Sequence, residues 1–135
     1  MVEQLRAVGQ SIRRFDAPSK VTGAALYPGD FNMDGQLWMK IRFSDRAHAR
    51  IRSIDTSAAE TLPGVVRVFT AKDVPVNEYG LIIKDQPVLC GPGSTVVDAD
   101  IVRCYMDNIA LVVAETEAIA AEAVKLIHVE YEDFP

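Results

Sequence analysis

Residues 109–114 form an unbroken apolar run, Ile-Ala-Leu-Val-Val-Ala, with a polar residue on either side. Such a run is typical of a central strand that is buried on both faces. Thr116 then predicts a helix N-cap, and an apolar stripe predicts a helix over about 117–127. The stripe consists of Ile119, Ala120, Ala123, Val124 and Ile127. Alternation over 128–132 predicts another strand, so this region is a strand–helix–strand unit. Its crossover is right-handed if both strands run parallel in one sheet.

Three further strands are predicted nearer the N-terminus. Residues 36–44 alternate, which predicts a strand with one apolar side facing a core. That side consists of Leu37, Met39, Ile41 and Phe43. Residues 49–54 predict a shorter, more exposed strand, because arginines flank its central isoleucine. Residues 65–69 are β-branched and aromatic apart from one arginine, which favours a strand.

A short helix is predicted between the last two of these strands. Ser57 and Glu60 have the spacing of a capping box, in which each side chain satisfies a backbone amide. Asp55 and Thr56 are alternative caps. Pro63-Gly64 ends the helix.

The remaining segments are less regular. Residues 1–19 are polar and predict an extended N-terminal arm, while 20–27 predict a short strand that opens a single domain over 20–135. Residues 71–74 predict one helical turn. Residues 75–100 are rich in glycine and proline, and long loops of this kind often carry function or contact a partner.

Composition excludes several classes of protein. With 135 residues the chain suits one domain. No apolar run is long enough to span a bilayer, and the first residues lack the apolar stretch of a secretory signal, so we expect no membrane association and a cytoplasmic location. The net charge of −5 and the lack of a dense basic patch argue against nucleic-acid binding.

The residues by themselves predict no catalytic, cofactor or metal site. Cys90 and Cys104 are too far apart in sequence for a C-x-x-C motif, and we expect both to be buried free thiols. His48 and His128 have no clustered ligand partners. The polar connection at 45–50 could contact a ligand, but a solvent-facing loop is the simpler interpretation.

The sequence resembles the xanthine dehydrogenase and aldehyde oxidase family, the molybdenum hydroxylases. Residues 44–70 resemble its S-P-H-A-H-A-R-I-x-S-I-D-T-S-A-A segment followed by L-P-G-V-V. Residues 8–23 are similar to its V-G-x-x-x-x-R-x-D-A-x-x-K-V-T-G start. Residues 70–75 resemble T-A-x-D-V-P, 85–89 resemble D-x-P-V-L, and 112–135 resemble V-V-A-E-T through V-E-Y-E-x-L-P. These blocks occur in the family's order and cover almost the whole chain.

The resemblance implies an α/β (α+β) fold, the α/β hammerhead that opens the molybdopterin-binding subunit. It implies a mixed sheet, a long amphipathic helix near the C-terminus and a short helix after the second or third strand. It also implies a scaffold and interface role in an enzyme that hydroxylates N-heterocycles or aldehydes with oxygen from water. The catalytic domains lie further along in the family, so the chain would be a fragment or a separately encoded piece, inactive alone and without a cofactor of its own.

The resemblance implies cofactors and partners outside this chain. The parent enzyme would use molybdopterin-bound molybdenum, with 2Fe-2S clusters and possibly FAD on other domains or subunits. The expected partners are the remaining molybdopterin-binding domains and the iron–sulfur and FAD subunits.

One block departs from the family pattern. Where the family has Y-V-G-[DE]-P-V-A, this chain has Tyr105-Met106-Asp107-Asn108-Ile109-Ala110, without the glycine that permits a positive φ. This turn and the D-x-P-V-L segment are the predicted domain or subunit interface. Its candidate residues are Asp85, Gln86, Tyr105, Met106, Asp107 and Asn108.

A second interpretation remains open from the sequence. The same α/β fold could serve as a stand-alone module, without a redox role, that binds a small molecule or a protein through the 75–100 loop.

Overall fold

The computed structural model describes residues 8–135. Its contacts divide the chain into two compact units, Met1–Asp34 and Gly35–Pro135. The predicted domain boundary at residue 20 stays a prediction, and residues 1–7 of the predicted arm lie outside the described residues.

The first unit contains a helix where a strand was predicted. Helix α1 spans Ala17–Val21, so the predicted strand over 20–27 is wrong. Pro18 lies in the first turn of α1, where its fixed φ suits a helix and its missing amide costs nothing. Asp16 and Lys20 form an ion pair of 2.7 Å one turn apart, which supports the helix further.

The second unit contains six strands and two helices. The strands are β1 (Trp38–Phe43), β2 (Ala49–Asp55), β3 (Val65–Phe69), β4 (Ile101–Val102), β5 (Asn108–Ala114) and β6 (His128–Asp133). The helices are α2 (Ser57–Glu60) and α3 (Glu117–Leu126), and 3-10 turns occur at Pro28–Asp30 in the first unit and Ala71–Asp73 in the second. Among residues 8–135 no helix has the length and apolar character needed to cross a membrane.

The strands form two three-stranded sheets. The first sheet has the order β1-β5-β3 and the second has the order β4-β2-β6. The α/β class is confirmed, but every pairing between these strands is antiparallel, so the expected mixed sheet is replaced by two antiparallel ones. Helix α2 links β2 to β3, and α3 links β5 to β6, so each helix connects one sheet to the other. The right-handed crossover within one sheet therefore does not occur.

The first core lies between the first sheet and the helices. Strand β5 contributes Ala110 and Val112, α3 contributes Ala123, and all three are fully buried. Partly buried Ile54 and Val129 from the second sheet pack against the same cluster. The apolar stripe predicted for α3 therefore faces a core, as expected, and the helix ends one residue before the predicted limit.

The second core lies on the second sheet. Ala49 and Ile51 of β2 pack with Ile109 and Val102, and all four are at most 1% exposed. The prediction that β2 is short and exposed is therefore wrong. Strand β2 has seven residues and is the central strand of its sheet, so its isoleucine is covered although arginines flank it in sequence.

Strand β1 presents the opposite face to the core from the one predicted. Lys40 pairs in register with Val112, and its Nζ lies 2.6 Å from Oε1 of Glu117 on α3. Residues directly opposite share a face, so the even-numbered residues of β1 lie on the helix side. Leu37 and Met39, predicted to face a core, are 48% and 64% exposed.

The cap of α2 differs from the predicted capping box. The N-cap is Thr56, and Asp55 Oδ1 accepts hydrogen bonds from the amide and the hydroxyl of Ser57. These bonds lower the pKa of Asp55, which was an alternative cap in the sequence. Helix α2 ends at Glu60 with Thr61 as its C-cap, three residues before the predicted end at Pro63-Gly64. Gly64 lies in the turn that follows, where its φ is +86°. A β-carbon at Gly64 would lie 2.6 Å from Cδ1 of Ile119, so glycine also permits close packing against α3.

The cap of α3 is confirmed and gives a direct test of the local sequence signals. The Thr116 hydroxyl accepts a hydrogen bond of 3.2 Å from the amide of Ile119.

Thr116→Ala should lower the free energy of unfolding by about 1 kcal/mol, because an N-terminal amide of α3 loses its acceptor. Urea denaturation measures the change. Thr95→Ala is the matched control, since Thr95 is exposed in a loop, and equal losses in both variants would contradict the cap.

Candidate functional site

Five of the six predicted interface residues line one surface cleft of about 410 Å³. Asp85 and Gln86 come from the 75–100 loop, and Met106, Asp107 and Asn108 come from the turn that precedes β5. Tyr105 does not line the cleft and is 65% exposed. The remaining lining residues are Tyr79, Pro87, Cys90, Ile101, Arg103 and Cys104. The structure thus brings two distant sequence segments together, while their role as an interface stays a prediction.

The loop side of the cleft is fixed by one buried amide side chain. Asn77 is fully buried, and its Nδ2 donates to the carbonyl of Leu89 at 2.8 Å. Its Oδ1 accepts from the Leu89 amide at 2.9 Å, and Nδ2 also contacts the Ser94 hydroxyl at 3.0 Å. Between these points Tyr79 and Gln86 exchange two backbone hydrogen bonds of 2.8 and 3.2 Å. The loop has no regular secondary structure, but hydrogen bonds between its own residues fix its conformation.

The other side of the cleft is a turn organised by a carboxylate. Asp107 Oδ2 accepts from the backbone amides of Arg103, at 2.7 Å, and Cys104, at 3.2 Å. The Cys104 thiol donates to Asp107 Oδ1 at 3.0 Å. Both carboxylate oxygens are therefore engaged within the turn, and Asp107 acts on the local backbone.

Met106 adopts the left-handed conformation that the family's glycine would favour. Its φ is +73°, a region that costs an L-residue about 1–2 kcal/mol. The strain is held by backbone hydrogen bonds on both sides: Met106 N donates to Ser44 O, and Ser44 N donates to Asp107 O. The turn therefore holds a positive φ at a residue other than glycine.

The two thiols of the cleft have different environments. Cys90 is buried as predicted, and desolvation, reinforced by the charge of Asp107, raises its pKa to about 12. Cys104 is exposed, so the prediction that it is buried is wrong. Its hydrogen bond to Asp107 raises its pKa as well. Neither thiol is disposed to ionise near neutral pH, so neither is activated as a nucleophile.

The polar residues of the 45–50 connection serve the second sheet. Arg46 Nε lies 3.2 Å from Oδ1 of Asp133, and Arg50 NH1 donates to Asp100 Oδ2 at 2.5 Å. The His48 ring meets the Phe134 ring edge to face at 4.9 Å. These contacts favour the simpler of the two interpretations of this segment, in which it does not hold a ligand.

The residues described do not form a metal centre. Within residues 8–135 no group of three or more histidine, cysteine or acidic side chains converges on a shared ion position. The donor set of the cleft does not fit a molybdenum or iron–sulfur group, because its two thiols and two carboxylates do not converge on one position and Asp107 is already bonded to the amides of Arg103 and Cys104. No chemical step is assigned to this chain.

Sequence reasoning missed several residues that shape the cleft. Asn77 acts through its side-chain amide on the Leu89 backbone, Tyr79 through backbone hydrogen bonds to Gln86, and Arg103 through its amide to Asp107, and none of these contacts produces a periodic pattern. The available signals were an asparagine just after Pro75 and an acid four residues after Arg103, both common at hydrogen-bonded turns.

Comparison with known proteins decides the family. The family model for the a/b hammerhead domain of aldehyde oxidase and xanthine dehydrogenase matches residues 22–135. The chain belongs to this family. It is 46% identical over 121 residues to a probable xanthine dehydrogenase subunit of Bacillus subtilis, covering 89% of this chain and 15% of that protein. It is 36% identical to the carbon monoxide dehydrogenase large chain of Afipia carboxidovorans, covering 98% of this chain and 16% of that protein.

Solved structures support the hammerhead fold. A Cu,Mo-CO dehydrogenase aligns with a TM-score of 0.81 at 34% identity, over 94% of this chain and 16% of that one. The aldehyde oxidoreductase of Desulfovibrio desulfuricans aligns with a TM-score of 0.80 at 32% identity, over 94% of this chain and 15% of that one. The chain thus spans about one sixth of each of these two solved chains.

The Met106 turn yields a test of the backbone argument. Met106→Gly should raise the free energy of unfolding by up to about 1 kcal/mol, because glycine adopts a positive φ without the steric cost and the methionine side chain is largely exposed. Met106→Ala is the control, since it removes the side chain but keeps the β-carbon, and should change stability little. Denaturant unfolding compares them. An equal gain in both variants would mean that the backbone conformation is not the cause.

Proposed function

We propose that this chain is the N-terminal scaffold and interface domain of a molybdenum-containing hydroxylase of the xanthine dehydrogenase and aldehyde oxidase type. The complete enzyme would act on N-heterocycles or aldehydes. The observation that carries the proposal is the match of nearly the whole chain to the hammerhead domain, together with its small share of the relatives' length. Molybdenum would supply the hydroxylation chemistry in a part of the enzyme outside this chain.

The geometry supports a structural role for the described residues. Asp107, one of the two carboxylates of the cleft, and the buried Asn77 amide of the adjoining loop both hold backbone groups, and the thiols of the cleft have raised pKa values. A site for catalysis needs a base, nucleophile or metal with free convergent groups. We therefore assign the cleft of Asp85, Gln86, Met106, Asp107 and Asn108 to contact with another domain or subunit.

The partners and setting belong to the same proposal. A nicotinate dehydrogenase subunit of Eubacterium barkeri, 36% identical over 98% of this chain, is named as a large molybdopterin subunit. By analogy the hammerhead would contact the molybdopterin-binding domains, with iron–sulfur and possibly FAD groups on neighbouring domains or subunits. Cytoplasmic residence is part of the proposal. No specific observation favours the stand-alone module that would bind through the 75–100 loop, and the buried Asn77 side chain of that loop already bonds the Leu89 backbone.

Cofactor content and turnover test the proposal. The 135-residue chain and the full-length subunit encoded by the same gene are purified, with the subunit's co-expressed partners. Molybdenum is measured by mass spectrometry, and dye-linked oxidation is assayed with purines, other N-heterocycles and aldehydes. We expect stoichiometric molybdenum and turnover in the full-length enzyme and neither in the isolated chain.

Different results would contradict the scaffold role of this chain and the class of the complete enzyme. Cofactor or turnover in the isolated chain would contradict the scaffold role. A full-length protein that folds with its partners but contains no molybdenum would contradict the enzyme class.

A further inference from the structure

The first sheet is covered by helices on one face only. Helix α3 lies on the side of Ala110, Val112 and Ala114, all of which are fully buried. The opposite side of β5 presents Leu111 and Val113, which are partly exposed. The face away from α3 therefore remains in contact with solvent along the C-terminal part of β5.

The strand register aligns two rows of side chains on this uncovered face. The first row joins Met39, Val113 and Arg67, and the second joins Ile41, Leu111 and Phe69. We call these six residues the outer face. Five of them are apolar, and Met39 is 64% exposed. Leu37, one alternation before Met39, is also 48% exposed and extends the apolar strip.

The composition of the outer face is unusual for a surface that meets water. An antiparallel sheet with one solvated side alternates apolar and polar residues, with the polar ones outward. Here the outward positions of the central strand are leucine and valine, and a contiguous apolar patch of this kind marks an interaction surface. The alternation over 36–44 likewise places the apolar residues of β1 at odd-numbered positions, which is the pattern of a strand whose odd-numbered side is buried.

The single charge on the outer face indicates what the covering surface must provide. The Arg67 guanidinium lies 5.7 Å from the centre of the Phe69 ring, and its NH2 is 3.9 Å from Oδ1 of Asp73. That ion pair is long and the Arg67 side chain is 64% exposed, so the pair contributes little while open to water. A covering surface that is apolar at its centre and has a carboxylate at its rim would bury Met39 and the exposed parts of Ile41, Leu111, Val113 and Phe69, and would give Arg67 a second acidic partner beside Asp73.

We propose that the outer face packs against a later part of the same molybdenum subunit, a surface with an apolar centre and an acidic rim. The proposal rests on the proposed function for the existence of that longer subunit. The relatives supply its size, since the chain spans 15% and 16% of two of them, which leaves several times its own length to contact it.

Cysteine labelling of the outer face tests the occupant. Met39→Cys is made in the isolated chain and in the full-length subunit, and maleimide incorporation at that peptide is followed by mass spectrometry. Labelling should be at least about tenfold slower in the full-length subunit, which corresponds to about 1.4 kcal/mol of protection. Lys125→Cys is the matched control, because Lys125 is 72% exposed on α3, on the other side of the sheet, and it should label equally in both proteins.

Each other outcome overturns the proposal. Equal labelling of Met39→Cys in both proteins leaves the outer face uncovered in the enzyme. Protection in the isolated chain that disappears when residues 1–34 are removed makes the N-terminal unit the occupant, and protection that depends on concentration makes a second copy the occupant. If the full-length Met39→Cys variant fails to fold, peroxide oxidation of the natural Met39 in both proteins gives the same comparison without a substitution.

Failure of this inference is distinguishable from failure of the proposed function. Molybdenum is measured on the same full-length preparation that is labelled. A metal-free subunit with a protected Met39 would keep the outer-face contact and contradict the enzyme class. A molybdenum-loaded subunit with an unprotected Met39 would contradict the outer-face contact and leave the enzyme class standing.

Discussion

The burial of β5 is the constraint on which the rest of this hammerhead depends. Strand β5 is the centre of the first sheet, with β1 and β3 hydrogen-bonded to its two edges. Its Val112 is buried under the helices, while Ile109 at its start is buried in the core of the second sheet. One strand thus contributes to both cores, and burying each such side chain stabilises the fold by about 1.5–3 kcal/mol. The apolar run at 109–114 encodes this position directly.

The candidate interface follows from the same strand. Asn108 opens β5 and accepts a hydrogen bond from the Cys90 amide, while Asp107 just before it accepts one from Ser44 at the end of β1. The turn is therefore fixed between two segments that β5 itself positions. Asp107 also accepts from the amides of Arg103 and Cys104, so its carboxylate holds the backbone of the turn.

The sequence predicted what is local. The strand at 109–114, the Thr116 cap and the stripe of α3 follow from short-range periods, and all are confirmed. The separation into two antiparallel sheets was not predictable, since α2 and α3 have the same sequence signature whether they return to one sheet or cross to another. For β1 the alternation showed which residues share a face. It did not show which of the two faces is buried, because that depends on where α3 packs. The approach of the 75–100 loop to the turn before β5 was likewise not predictable, because it depends on contacts between separate segments, such as the hydrogen bond from the Cys90 amide to the Asn108 carbonyl.

Amide hydrogen exchange of the isolated chain tests the central role of β5 most directly. If β5 joins both cores, the amides of Leu111 and Val112 should exchange only through global unfolding, with an opening free energy equal to that from denaturant melts. Amides of the edge strand β6 should open at lower free energy. Exchange of the β5 amides at a free energy below that of β6 would contradict the account.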